Sequence, residues 1–266
     1  MKIITLIENL VYQAGLLSEH GLSIYIDTGN RKLLFDTGQS SAFLSNARIL
    51  GIDAEEIDAV IISHGHYDHT GGLDAFFQAN KKATLYIKPE AFAEKYQGKN
   101  RTVGIPEIPA IPGNRIKYVE SVTELYDGIF VMPDIPVLNP ADTSFHNFFI
   151  KKGSTFMKDE FKDELFLTFV RNNKLSVISS CSHRGITHMV RESIRYFNLP
   201  VHMLLGGFHL RNCPPEQYQL VISYLKQIKP ELIGVSHCTG VEKYSELRKD
   251  LPFHIFYNMT ANVLQI

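Results

Sequence analysis

Between positions 64 and 69 the chain reads His64-Gly65-His66-Tyr67-Asp68-His69, three imidazoles and one carboxylate in six residues, directly after the apolar run 57–62. Neutral imidazole and carboxylate are the donors that borderline divalent ions such as zinc, iron and manganese accept. His64 and His66 stand two apart on what reads as an extended loop, so both rings can point to the same side. Asp68 and His69 follow near the turn into a helix, where the chain can bend back and offer a second pair. A single loop histidine is more often packed or solvated than metal-bound. The density of donors in this segment is what points to a metal.

Further donors stand at His183, His209 and His237, each just after a strand-like run and before a helix. The pattern repeats: a strand over 177–179 leads to His183, one over 201–205 to His209, and one over 232–235 to His237. Equivalent ends of neighbouring strands gather on one sheet edge, where layered α/β proteins hold their chemistry. Six or seven ligands shared by two ions leave each with an open position, where water or hydroxide binds. His209, after Gly206-Gly207-Phe208, reads either as a ligand or as a group that contacts substrate.

Other residues carry two readings each. Asp36 ends an apolar strand, where a carboxylate needs hydrogen bonds; the N–H of a metal-bound imidazole is one partner, and a plain Asp36-Thr37-Gly38 turn is the alternative. His20, ahead of a strand, is a candidate to contact substrate or orient a ligand. His146 falls in a segment of unclear pattern and is a candidate pocket residue. His188, His202 and His254 read as packing or surface groups. Cys181 and Cys238 are conceivable soft ligands but read better as small buried residues. Asp163-Glu164 reads as charge at a strand start or as a pocket acid.

The elements that must position these groups are legible at both ends of the chain. Residues 1–8 read as a first strand. Strands over 22–26 and 32–35 flank a Thr28-Gly29-Asn30 turn, a helix covers 41–50, and a strand over 59–63 delivers the histidine cluster. Leu73, Phe76 and Phe77 have the spacing of a buried helix face, followed by a strand over 84–87. Strands over 165–170 and 175–179, then helices over 186–197, 215–228 and 241–248, make up the later part. Six prolines between 106 and 140 break the middle, so 96–163 reads as inserted loops and hairpins with strands at 116–119 and 129–132. The whole chain, 1–266, reads as one domain.

Composition narrows the classes. With 27 basic and 28 acidic residues the formal charge is −1, and Lys81-Lys82 and Lys151-Lys152 are too short to form a nucleic-acid track. Three cysteines suit a reducing compartment. The N-terminal residues lack a signal-peptide core, and no apolar run reaches roughly 20 residues, so a cytoplasmic protein away from membranes is expected. Phosphate-loop, dinucleotide-binding and nucleophile-elbow motifs are absent. Aromatic stripes read as core, so no oligomer interface is assigned.

His64-x-His66-x-Asp68-His69, following a strand and preceding Gly71-Gly72, resembles the central motif of the metallo-β-lactamase superfamily, and Leu33-Leu34-Phe35-Asp36-Thr37-Gly38 is similar to the strand and aspartate turn ahead of it. Glu19-His20-Gly21, Cys181-Ser182-His183, Gly206-Gly207-Phe208-His209 and His237-Cys238-Thr239-Gly240 resemble the branch of 7,8-dihydropterin-6-methyl-4-(β-D-ribofuranosyl)aminobenzene-5'-phosphate synthase-like proteins. The resemblance implies an α/β fold, a four-layer αββα sandwich with a dinuclear site. It implies that His64 and His66 bind one ion, that Asp68, His69 and His237 bind the second, and that His183 is the remaining ligand. Most hydrolases of the superfamily also carry a bridging aspartate at a late strand end; Ser180-Cys181-Ser182 stand there instead.

The expected activity is metal-dependent hydrolysis of a small-molecule phosphoester, ester or lactone, with a hydroxide formed beside two divalent ions, zinc first, iron or manganese as alternatives. Asp68 or an ion-held water would manage the proton, and His209 would stabilise charge or protonate a leaving group. The alternative is a dihydropterin ribofuranosylaminobenzene phosphate synthase-like enzyme on the same ions. A nuclease lacks its basic track, and a flavodiiron-type redox protein lacks its flavin domain.

Overall fold

The computed structural model describes residues 1–106, 110–126 and 128–266. The chain forms two compact units, one of Met1–Val119, Asn147–Asp163 and Met259–Ile266, the other of Glu120–His146 and Glu164–Asn258.

The first unit is built on strands β1 (Lys2–Ile7), β2 (Ser23–Asp27), β3 (Lys32–Phe35), β4 (Ala59–Ile61), β5 (Thr84–Ile87), β8 (Ile116–Tyr118) and β18 (Val263–Gln265), in the order β18-β1-β2-β3-β4-β5-β8. The β2–β3 hairpin closes as its turn residues dictate: Asp27 Oδ1 accepts the Gly29 N–H at 2.7 Å, and Thr28 Oγ1 accepts that of Arg31 at 2.9 Å. From β3 onward the strands run parallel, which requires crossovers. Helices α1 (Ala42–Ile49) and α3 (Leu73–Ala79) supply the β3–β4 and β4–β5 crossovers. Phe43 and Ala47 of α1, with Leu73, Phe76 and Phe77 of α3, pack on Leu6, Leu34, Val60 and Leu85. Each fully buried Phe or Leu contributes roughly 1.5–3 kcal/mol. This core anchors the strand end that carries the histidine cluster. The four-residue helix α2 (Tyr67–Thr70) follows at once and turns Asp68 and His69 back toward β3. A second, small sheet combines β6 (Glu94–Gln97), β7 (Arg101–Thr102), β11 (Phe148–Lys152) and β12 (Thr155–Lys158) in the order β12-β11-β6-β7.

The second unit carries β9 (Thr123–Tyr126), β10 (Ile129–Met132), β13 (Phe166–Arg171), β14 (Lys174–Ile178), β15 (Val201–Gly206), β16 (Leu232–Val235) and β17 (His254–Tyr257), ordered β17-β16-β15-β14-β13-β10-β9. Asn172 and Asn173 take positive φ, 50° and 57°, the turn a tight β13–β14 hairpin needs. From β14 to β17 the strands are parallel. Helices α4 (Ile186–Phe197), α5 (Pro215–Ile228) and α6 (Val241–Asp250) make the crossovers, as their periodicity predicts. The strand–histidine–helix repeat is therefore real: β14, β15 and β16 lead to His183, His209 and His237.

The stretch 96–163 divides among the sheets rather than forming one insertion: β8 joins the first sheet, β9 and β10 the second, and β11 and β12 the small one. Pro109, one of the prolines read as breaking this stretch, lies outside the described residues. Among the described residues no helix is long and apolar enough to cross a membrane.

Candidate metal centre

In the first unit, His64, His66, Asp68 and His69 come together. The ring centroids of His64 lie 4.6 Å from His66 and 4.4 Å from His69, and Asp68 Oδ2 is 3.4 Å from His69 Nε2. All four residues are buried. Close approach makes this possible: a Cβ on Gly65 would lie 2.0 Å from the Ala91 carbonyl oxygen, and one on Gly72 2.4 Å from that of Thr37. The Thr37 N–H and hydroxyl both donate to the His69 carbonyl, at 2.8 and 3.0 Å, tying the turn after β3 to α2.

Asp36 organises the protons of this cluster. It is fully buried with φ of 59°, a costly conformation for a residue with a side chain. Its Oδ1 accepts the Ser63 N–H at 2.7 Å, and its Oδ2 accepts the Ser63 hydroxyl at 2.7 Å and His69 Nδ1–H at 2.9 Å. The single hydroxyl proton of Ser63 is thus committed to Asp36. Ser63 Oγ, 2.9 Å from His64 Nδ1, must then accept from that ring. Burial, with the neighbouring His69 and His66, holds His64 well below the usual imidazole range and hence neutral. The network assigns its proton to Nδ1 and turns the Nε2 lone pair to the cluster. Burial works against charge on His69 as well, but Asp68 and Asp36 outweigh it and raise that ring to about 10. Without an ion this balance favours the imidazolium, and an ion held at Nε2 would take the place of its proton.

The donor set fits a borderline divalent ion: imidazole nitrogens oriented by a buried carboxylate, with a further carboxylate at Asp68. His20, half-exposed, reaches the same carboxylate, its Nε2 lying 3.3 Å from Asp68 Oδ2. The neighbouring Tyr67 is held by Arg101, whose Nη2 donates to the phenol oxygen at 3.0 Å.

In the second unit, His183 and His209 pair with ring centroids 4.4 Å apart. Ligand atoms of Cys181, His237 and Cys238 lie within 4.8 Å of one another, so the thiols read from sequence as small buried groups stand beside a candidate ligand. His209, His237 and Ser182 hold positive φ of 52°, 52° and 57°, marking the strand ends as strained loops. Glu164 braces one of them, its two oxygens accepting the N–H groups of His183 at 2.6 Å and Arg184 at 2.7 Å. His188 is buried and accepts the Asn139 N–H at Nε2; His202 pairs with Glu231. His146 and His254 are exposed.

Sequence reasoning missed the buried Lys95, joined to Asp159 and Asp163, and the bracing role of Glu164. The signal available was the acidic doublet Asp163-Glu164 ahead of an apolar strand.

Residues 19–148 match the model of the metallo-β-lactamase superfamily. Over 260 residues the chain is 30% identical to the 7,8-dihydropterin-6-methyl-4-(β-D-ribofuranosyl)-aminobenzene-5'-phosphate synthase of Methanocaldococcus jannaschii, covering 90% of this chain and 88% of that one. The crystal structure of Tm1679, a metal-dependent hydrolase of the β-lactamase superfamily, is similar with a TM-score of 0.87 and 31% identity, over 100% of this chain and 99% of that chain. Zn(2+)-bound PqqB from Methylobacterium extorquens shares the fold at a TM-score of 0.60 and 12% identity, over 100% of each chain.

Proposed function

The chain belongs to the metallo-β-lactamase superfamily, and on that footing we propose that it is a metal-dependent hydrolase of a small-molecule phosphoester, ester or lactone. The observation that carries this reading is the Asp36–Ser63 network, which orients His64 and His69 for an ion. Zinc fits first, with iron and manganese as alternatives. On this reading His64 and His66 would hold one ion, Asp68, His69 and His237 would hold the second, and His183 is the remaining ligand. Bound ions supply an activated water and polarise the electrophilic oxygen.

The chain's own groups do the rest. Asp68, a carboxylate within reach of His20 and His69, accepts a proton, and His209 stabilises developing charge or protonates the leaving group. A formal charge of −1 favours a small substrate over a nucleic acid, and three cysteines outside any disulfide suit the cytoplasm.

Protein purified without chelator should hold at least about one transition-metal ion per chain. It should hydrolyse some member of a panel of aryl phosphomonoesters, phosphodiesters, carboxylic esters and lactones, lose that activity to chelator and regain it with zinc or manganese. A metal-free preparation that takes up no added zinc refutes the reading. The M. jannaschii relative's name supports a second one, synthesis: a metal-loaded protein that is inert on the panel but joins a dihydropterin to an aminobenzene riboside phosphate would replace hydrolysis.

A further inference from the structure

Lys95 is the one lysine or arginine that is buried among the described residues, 2% exposed, on β6. Its Nζ lies 2.7 Å from Asp159 Oδ2 and 2.9 Å from Asp163 Oδ1, and 5.2 Å from the centroid of the Phe161 ring. Both carboxylates are buried too. Removing three charges from water is costly, and well-packed apolar residues of the same volume commonly serve stability equally well or better. The stability of the first unit therefore does not account for this triad.

Its contacts do. Asp163 uses its second oxygen, Oδ2, to accept the N–H of Gly65 at 2.7 Å, the peptide between His64 and His66. On the opposite side Gly65 abuts the Ala91 carbonyl. Asp159 uses its Oδ1 to accept the Phe161 N–H at 2.8 Å, holding that residue at φ of 49°. The Phe161 ring then lies 5.3 Å from His66 and 6.3 Å from His64. Lys95 binds the remaining oxygen of each carboxylate. It thus fixes both at once, and each fixes one side of the ligand segment.

We propose that Lys95, Asp159 and Asp163 are positioning residues that hold His64-Gly65-His66 in ligating geometry before any ion binds. The affinity arm of this inference rests on the metal-centred reading above; the preorganisation arm does not.

Two triple variants separate positioning from stability. Lys95→Met with Asp159→Asn and Asp163→Asn removes all three charges but keeps a carbonyl for the Gly65 N–H. Lys95→Met with Asp159→Asn and Asp163→Leu removes that acceptor as well. Zinc affinity is read by chelator competition and folding by thermal unfolding. The expected result is that the variant with asparagine at both positions, which loses the Lys95 anchor but keeps an acceptor for the Gly65 N–H, binds zinc several-fold more weakly than the parent, and that the leucine variant, still folded, binds roughly 10- to 100-fold more weakly; parental affinity in the asparagine variant overturns the role of Lys95. A folded leucine variant with parental affinity, or equal losses in both variants, overturns the proposal. Should either variant fail to fold, amide exchange in the unmodified chain decides: the Gly65 N–H is expected to be protected in chelator as well as with zinc. Protection that arises only on zinc addition overturns the proposal, and this readout stands even if the protein hydrolyses nothing.

Discussion

Replacing Asp36 tests the proton logic of the site. Asp36→Ala leaves three buried donors, the Ser63 N–H, the Ser63 hydroxyl and His69 Nδ1–H, without their acceptor. At about 1–3 kcal/mol for each stranded group, the loss is about 3–9 kcal/mol, a large share of the 5–15 kcal/mol that typically holds a domain together. Asp36→Asn is subtler. Its carbonyl can keep the Ser63 N–H, but its NH2 faces Ser63 Oγ and His69 Nδ1. That ring nitrogen must then accept, which moves the proton to Nε2, the nitrogen that would hold an ion. The stability cost falls to about 1–3 kcal/mol, yet zinc affinity should drop roughly 10- to 100-fold. Urea unfolding in chelator gives the first quantity and chelator competition the second. An asparagine variant with parental zinc affinity, or an alanine variant within about 1 kcal/mol of the parent, refutes the reasoning.

In chelator, the imidazolium of His69, raised from 6.5 to about 10, contributes stability that is complete below pH 6.5 and lost as pH climbs through about 10, on a scale of roughly 5 kcal/mol. His64, held neutral by burial, acts oppositely: its contribution is present above pH 6.5 and lost on acidification. Unfolding free energy measured from pH 5 to 10 should therefore fall at both ends, and a profile flat on the alkaline side would count against the charged His69. Zinc uptake near neutral pH should release a proton, read as a dependence of the calorimetric heat on buffer ionisation enthalpy. Gly65→Ala forces a Cβ to 2.0 Å from the Ala91 oxygen and should cost about 1–3 kcal/mol or more; an unchanged melting temperature would contradict the packing. Glu164→Ala strands the N–H groups of His183 and Arg184 and should cost about 1–3 kcal/mol for each, whereas Glu164→Gln retains one acceptor and should cost less in the same unfolding assay.

The sequence by itself determined whatever depends on local spacing. The donors of 64–69 are neighbours in the chain, so their cluster is visible without a fold, and the strand–histidine–helix repeat follows from periodicity within windows of a dozen residues. The turn at Thr28-Gly29-Asn30 and the helix face of Leu73, Phe76 and Phe77 are local in the same sense. The proline-broken middle was not legible, because its short strands exist through distant partners: Ile116 pairs with Leu85, and Ile129 with Phe169. Only the tertiary structure decided which buried charges face one another. Lys95 meets Asp159 and Asp163 across 64 and 68 residues of chain, and Asp36 meets Ser63 and His69 across 27 and 33. A hydrogen bond between groups that far apart leaves no periodic trace, since its partners answer to position in space and not to position in the chain. The sequence therefore names candidate ligands, and the fold decides which ring nitrogen His64 and His69 offer.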